Sequence, residues 1–168
     1  MRISGETKVC ALIGYPVEHS LSPCFQNAAF QHLRLNFVYV ALPVKISELG
    51  DAIRGVRSLG FHGLNVTMPH KISVIKHLDE LDDTAKKIGS VNTILNRNGR
   101  LIGYTTDGIG AVNALKYNGV ELCGRKIVIL GAGGASRAIS FTLAEEAGEL
   151  VILNRTVGRA ERLACDIH

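Results

Sequence analysis

Gly131-Ala132-Gly133-Gly134-Ala135-Ser136-Arg137-Ala138 follows directly on the apolar run KIVIL (126–130) and opens an apolar helical stretch. Glycines at the first turn of a βαβ unit let the backbone approach a pyrophosphate, whose charge then rests on the amides of a helix N-terminus. Ser136 stands where the third glycine of a GxGxxG pattern falls, so the strand, turn and helix around the glycines carry the reading more than the spacing does. A second apolar run, ELVILN (149–154), ends on Asn154-Arg155-Thr156, with Arg159 one helical turn further on. A site for NAD usually places an acidic residue at this strand tip to hold the ribose 2′-hydroxyl, whereas a 2′-phosphate calls for cations and hydroxyls. Taken alone, Arg155 and Arg159 read equally as solvated surface charges. With the glycine loop they predict NADP, held by Gly131, Ala132, Gly133, Gly134 and Ala135 at the pyrophosphate and by Asn154, Arg155, Thr156 and Arg159 at the adenosine end.

Three polar clusters in the first two-thirds of the chain could do chemistry. In Ser20-Leu21-Ser22-Pro23, Ser22 reads as an N-cap and Pro23 as the first helical residue. Two hydroxyls beside free helix amides also suit a carboxylate. In Asn65-Val66-Thr67-Met68-Pro69-His70-Lys71 a strand ends in polar groups, and in open α/β sheets ligands bind beyond the carboxyl ends of strands. Lys71 reads as a solvated helix-start lysine, but a cation there opposes the macrodipole, so its placement asks for another explanation. The third cluster joins Gly89-Ser90-Val91-Asn92-Thr93 with Tyr104-Thr105-Thr106-Asp107-Gly108. Locally, Asp107 reads as an N-cap and Asn92 as a turn residue just as well as either reads as a ligand-binding group.

The elements that must position these groups alternate from the start. Strands are predicted over VCALIGY (9–15), FVYVALPV (37–44) and GLNVTMP (63–69), with helices from Pro23 to Leu35 and from Ser47 to Leu59. This alternation predicts an α/β fold with a mostly parallel sheet. A helix is expected from Asp79 to Ile88, and SVNTIL (90–95) and LIGYTT (101–106) flank the hairpin dipeptide Asn98-Gly99. A helix from Asp107 to Tyr117 follows. Two domains are expected: residues 1–119 for substrate and catalysis, and residues 124–168 as the start of a Rossmann-type nucleotide unit. Such a unit takes about six strands, so the chain reads as a partial polypeptide whose Rossmann domain is incomplete.

Composition narrows the function classes. The 168 residues are 46% hydrophobic and 20% charged, which suits a globular protein with a packed core and not a disordered one. The net charge of +4 comes from basic residues spread along the chain without interleaved aromatics, so nucleic-acid binding is not expected. No apolar stretch has the length of a membrane span and MRISGETK lacks the apolar core of a signal peptide, giving a cytoplasmic expectation. Cys10, Cys24, Cys123 and Cys165 form no paired motif and are expected as small buried hydrophobes. No metal is expected, because the histidines and carboxylates form no cluster with ligand spacing.

The segments SLSP, NVTMPHK, GSVNT, TTDG, GAGGASRA and NRT, in this order along essentially the whole chain, closely resemble shikimate dehydrogenases. The resemblance implies reversible, NADPH-dependent reduction of 3-dehydroshikimate to shikimate, in the pathway to aromatic amino acids. It implies that Ser20 and Ser22 hold the substrate carboxylate, that Thr67, Lys71, Asn92 and Asp107 bind the ring hydroxyls, and that Lys71 and Asp107 are the catalytic pair. Hydride addition to a carbonyl builds negative charge on oxygen, which a positioned ammonium both stabilises and protonates. A homodimer is compatible with the resemblance. The alternatives are a quinate/shikimate dehydrogenase, a non-catalytic nucleotide-binding fragment of such an enzyme, and another two-domain NADP oxidoreductase with the same fingerprint.

Overall fold

The computed structural model describes residues 3–168. Its first part is a mixed sheet in the order β2-β1-β3-β5-β6-β4, built from β1 (Lys8–Gly14), β2 (Phe37–Pro43), β3 (Gly63–Val66), β4 (Glu80–Leu81), β5 (Thr93–Arg97) and β6 (Arg100–Tyr104). The three strands predicted to be parallel are so: β1 pairs parallel with both β2 and β3. The β5–β6 hairpin then turns the sheet antiparallel on the far side of β3. It is closed by Asn98 (φ 54°) and Gly99 (φ 87°), the left-handed pair that an Asn-Gly turn requires. The helices are α1 (Ser22–His32), α2 (Leu49–Ser58), α3 (Asp83–Ile88) and α4 (Asp107–Tyr117), with 3-10 turns at Ile46–Glu48 and Ser73–His77. Ile53 and Val56 of α2 pack on Ala11, Ile13, Leu64, Val66 and Ile94 of the sheet to form the main core. Alternate inward residues of β1 and β3 thus line one face, as a pleated strand dictates.

A second, two-stranded parallel sheet joins β7 (Lys126–Leu130) to β8 (Glu149–Leu153), with α5 (Gly134–Leu143) between them and α6 (Val157–Ile167) after them. Ala138 and Phe141 of α5 pack with Leu163 of α6 and with Ile88 at the end of α3. On its other side α5 meets α4, where Val112, Leu122 and Leu143 form a further cluster with Ile127 and Leu150. The helix that carries Asp107 is therefore part of the apolar packing of the smaller sheet.

Three sequence expectations give way. Asp79–Leu81 is not helical: Glu80 and Leu81 pair with Ile102 and Gly103 at the sheet edge, and the helix begins only after Asp82, whose carboxylate accepts from the Thr84 and Ala85 amides. Ser22 is not an N-cap. Leu21 takes that position without a side-chain bond, Ser22 lies within the helix, and Ser20 Oγ accepts from the Ser22 amide at 3.2 Å. The cysteines are not core residues either, since Cys24, Cys123 and Cys165 are exposed and Cys10 is half-buried. Cys24 and Cys165 fall on the solvent faces of α1 and α6, Cys123 lies in the connection before β7, and the strand residue Cys10 packs against the cluster of Leu12, Val17 and Tyr39.

Candidate functional site

Lys71 is not in a helix. It precedes the 3-10 turn Ser73–His77, in the segment that leaves β3. Its ammonium Nζ lies 2.6 Å from Asp107 Oδ2, which explains the cation without any helix dipole. Their side chains are 15% and 20% exposed, enclosed enough for the attraction to exceed that of a surface pair yet open to a ligand. Asp107 occupies the first turn of α4, where the helix amides favour a carboxylate. Its second oxygen, Oδ1, accepts from Asn92 Nδ2 at 2.8 Å. Asn92 is fixed in turn: Nδ2 donates to Thr106 Oγ1 at 2.9 Å, and Oδ1 accepts from the Thr106 amide at 3.1 Å and from Thr93 Oγ1 at 3.0 Å. The structure thus brings together Lys71, Asn92 and Asp107, residues up to 36 positions apart.

Behind them stands a relay in which Asn65 and Thr93 belong to the polar clusters of the sequence and Tyr39 does not. Asn65 Nδ2 donates to Asn92 O at 3.3 Å and to Thr93 Oγ1 at 3.2 Å, and Asn65 Oδ1 accepts from the Tyr39 hydroxyl at 2.7 Å. Burial, with a smaller contribution from Cys10, pushes the Tyr39 phenol up to about 12, so it is a protonated donor at any ordinary pH. The only sequence signal for Tyr39 is a polar tip within an apolar strand.

Two cavities meet at Thr67 and Met68. One, of about 440 Å³, is lined by Ser20, Ser22, Phe25 and Thr67. The other, of about 780 Å³, runs from Thr67 and Lys71 past the loop Ala132–Arg137 to Arg159 and Arg162 of α6. Thr67 and Met68 thus line both cavities, with Ser20 and Ser22 on one side and Lys71 on the other. The larger cavity holds Lys71, Arg137, Arg159 and Arg162 against the single carboxylate Asp166, a cationic lining suited to phosphate groups. Arg137 and Arg162 were not among the predicted site residues. Arg162 follows Arg159 by three on α6, a helical spacing that puts the two on one face.

The glycine loop has the backbone that its sequence implied. Gly131 has φ 118°, a conformation costly for any side chain, and its amide donates to Leu153 O at 2.7 Å, tying the loop to the tip of β8. A Cβ on Gly133 would meet no protein atom within 4 Å. At Gly134 it would meet Lys71 Cβ at 2.7 Å and Ser90 Oγ at 3.1 Å, so α5 starts hard against the Lys71 segment. Ser90 Oγ also donates to Gly134 O at 3.0 Å. Asn154, Arg155 and Thr156 sit at the carboxyl end of β8, with Asn154 Nδ2 donating to Thr156 O at 2.8 Å; of the four residues predicted around the 2′-phosphate, only Arg159 lines the cavity. Free amides at the start of α5, open space over Gly133 and the cationic lining together fit a dinucleotide pyrophosphate. Among the described residues no group of three or more His, Cys, Asp or Glu is placed to hold a metal ion, and no helix is long and apolar enough to cross a membrane.

A family model described as the shikimate dehydrogenase substrate binding domain matches residues 12–94. The NADP(+) shikimate dehydrogenase of Carboxydothermus hydrogenoformans is 50% identical over 166 residues, covering 99% of this chain and 59% of that protein. A crystal structure of a shikimate dehydrogenase in complex with NADP+ superposes with a TM-score of 0.93 at 51% identity, over 99% of this chain and 57% of the other. The shikimate dehydrogenase of Thermus thermophilus, in complex with NADP(H) and shikimate, superposes with a TM-score of 0.86 at 41% identity, over 95% of this chain and 60% of the other. The chain thus spans under two-thirds of the length of the relatives it matches.

Proposed function

Because this chain belongs to the shikimate dehydrogenase family, we propose that it carries the substrate cleft and the pyrophosphate-binding end of an NADP-dependent shikimate dehydrogenase. The reaction is the reversible reduction of 3-dehydroshikimate to shikimate. Residues 1–119 bind the substrate and residues 124–168 begin the nucleotide unit. The observation that carries this reading is the Lys71–Asp107 pair at 2.6 Å, with Lys71 lining the glycine-lined cavity that shares Thr67 and Met68 with the serine-lined one.

NADPH, held by the amides of the Gly131–Ala135 loop with Asn154, Arg155, Thr156 and Arg159 around the adenosine phosphate, supplies the hydride. Ser20 and Ser22 hold the substrate carboxylate through their hydroxyls in the smaller cavity. Thr67, Asn92 and Asp107 orient the ring hydroxyls. Lys71 Nζ stabilises the negative charge that grows on the carbonyl oxygen during reduction and delivers the proton to it; in oxidation it takes the hydroxyl proton. Asp107 Oδ2 anchors the ammonium throughout, and Asn92 Nδ2 keeps the carboxylate from rotating away. We also propose a cytoplasmic setting and a homodimer, the latter checked by light scattering.

The test is shikimate-dependent reduction of NADP+ by the purified chain, with calorimetric shikimate binding measured in parallel. Lys71→Ala is expected to lower kcat by about 10²–10⁴-fold, the usual contribution of a positioned acid or base, with a much smaller change in shikimate affinity. Equal losses in turnover and affinity would refute a mainly catalytic Lys71. A wild-type chain that binds neither shikimate nor NADP+ would refute the proposed function.

A further inference from the structure

We propose that Tyr39 is a positioning residue for the Lys71–Asp107 pair, acting through Asn65, Thr93 and Asn92; this rests on the catalytic role proposed above for that pair. The polarity of every bond in the relay is fixed by groups that have no choice. The Thr106 amide can only donate, so the atom of Asn92 facing it at 3.1 Å must be its carbonyl oxygen. Asn92 Nδ2 is then obliged to face Asp107 Oδ1, which as a carboxylate can only accept. The backbone carbonyl of Asn92 can likewise only accept, so the Asn65 atom 3.3 Å from it must be Nδ2. That leaves Asn65 Oδ1 facing the Tyr39 hydroxyl at 2.7 Å, and Tyr39 must donate. Thr93 Oγ1 accepts from Asn65 and passes its own proton to Asn92 Oδ1 at 3.0 Å.

Tyr39 is thus the terminal donor of a chain that ends on the carboxylate. It comes from β2, two strands from β3, and is only 4% exposed. Its ring packs with Leu12 and Val17, with Phe30 alongside, so the hydroxyl cannot swing to another acceptor without breaking that packing. Asn65 is the link most sensitive to its loss: without the phenol, Oδ1 is left with no donor, and only the Nδ2 bonds to Asn92 O and Thr93 Oγ1 still orient the amide. An Asn65 amide that turns withdraws its donor from Thr93, and the Thr93 bond, one of the three that fix the Asn92 side chain, weakens. Asp107 Oδ1 then faces an amide held by Thr106 alone, and Oδ2 is less firmly placed beside Lys71.

Tyr39→Phe removes one hydroxyl and keeps the ring. In the wild-type chain the side-chain amide protons of Asn65 and Asn92 are expected as sharp NMR signals slow to exchange with water. In Tyr39→Phe those signals should broaden or exchange at least tenfold faster. Shikimate oxidation should lose roughly tenfold in kcat, the scale set by leaving one buried acceptor without its donor, with KM for NADP+ unchanged. Phe30→Leu, which loosens the same apolar cluster but spares the hydroxyl, is the control and should leave both amides protected. Unchanged amide signals or unchanged kcat in Tyr39→Phe would overturn the proposal, as would an equal loss in Phe30→Leu. Because the amide readout needs neither substrate nor cofactor, a chain that binds neither shikimate nor NADP+ while showing the Tyr39-dependent signals refutes the proposed function and leaves the relay standing.

Discussion

Adjacent glycines of the loop, Gly133 and Gly134, should respond in opposite ways to the same added methyl group. Neither has a positive φ, so alanine is tolerated by the backbone at both. At Gly134 the new Cβ would lie 2.7 Å from Lys71 Cβ and 3.1 Å from Ser90 Oγ, inside van der Waals contact with a Cβ that cannot rotate away. Relief requires α5 to move by about an ångström, which also strains the Ser90 bond to Gly134 O. Overpacking of this kind costs about 1–3 kcal/mol, and loss of the bond about 1 kcal/mol more; better helix propensity returns up to about 1 kcal/mol. A net loss of about 2 kcal/mol lowers Tm by about 4–8 °C for a chain of this size. At Gly133 the methyl meets nothing within 4 Å, and the poorer N-cap is offset by lower unfolded-state entropy, so stability should stay within about 0.5 kcal/mol of wild type. The methyl does stand in the cavity lined by the loop, however, and NADP+ affinity should fall roughly tenfold, equivalent to about 1.4 kcal/mol. Thermal denaturation and calorimetric titration of both variants measure the two effects separately. A Gly134→Ala chain that melts with wild type would refute the close approach of α5 to Lys71, and a Gly133→Ala chain that loses stability while binding NADP+ normally would refute the open space over Gly133.

Selectivity between the two nicotinamide cofactors should rest on the arginines after β8. Arg155→Ala and Arg159→Ala are each expected to weaken NADP+ binding about 10–100-fold and NAD+ binding by less than about threefold, with the NADP+ loss shrinking in high salt; equal losses for both cofactors would remove these residues from the 2′-phosphate. Asp79 makes a separate prediction about acid stability. The Arg57 guanidinium, then the Leu101 amide, hold its carboxyl below the usual carboxylate range. The folded state is therefore favoured above the unfolded value of about 3.9, and that share of stability is lost as pH falls through the lower folded value. Asp79→Asn should flatten the acid limb of urea-unfolding curves taken between about pH 3 and 6, and an unchanged limb would contradict the assignment.

Local chemistry made some of this legible in the sequence and hid the rest. The Gly131 loop could be read because its glycines follow a β-branched strand and open a helix, all within one stretch of chain, and the structure gives Gly131 the φ of 118° that the motif requires. The Asn98-Gly99 hairpin was equally local. Asp79–Leu81 was misread because helical composition is a weak prior, and edge pairing with β6 plus the Asp82 cap decided the segment instead. The pairing of Lys71 with Asp107 is implied by the family resemblance and not by local sequence, since its route through Asn92 joins residues that only the β5–β6 hairpin brings together. Tyr39 was invisible for the same reason. A buried phenol on an apolar strand looks like core, and its function depends on a partner 26 residues away.

The arrangement of α5 explains why the glycine loop and the Lys71–Asp107 pair, which come from different sheets, can keep one spacing. Its first residue, Gly134, abuts Lys71 and accepts from Ser90. One turn on, Arg137 donates through Nε to Ile88 O, the carbonyl that ends α3, and its guanidinium also pairs with Asp166 of α6 at 2.6 Å. In the next turn Ala138 and Thr142 leave room only for the bare Cα of Gly108, the residue after Asp107. A single rigid helix therefore touches the Lys71 segment at its start and the Asp107 helix along its side, while its N-terminal amides face the cavity. Any motion that moved the glycine loop away from Lys71 would have to break the Ser90 and Arg137 bonds together, or slide α5 across Gly108. The spacing is held by small residues at points of contact rather than by the charged pair, whose net contribution is limited by the cost of desolvating both ions. The 2.6 Å ion pair, oriented by Asn92 and bounded by α5, is therefore not what holds the two sheets together.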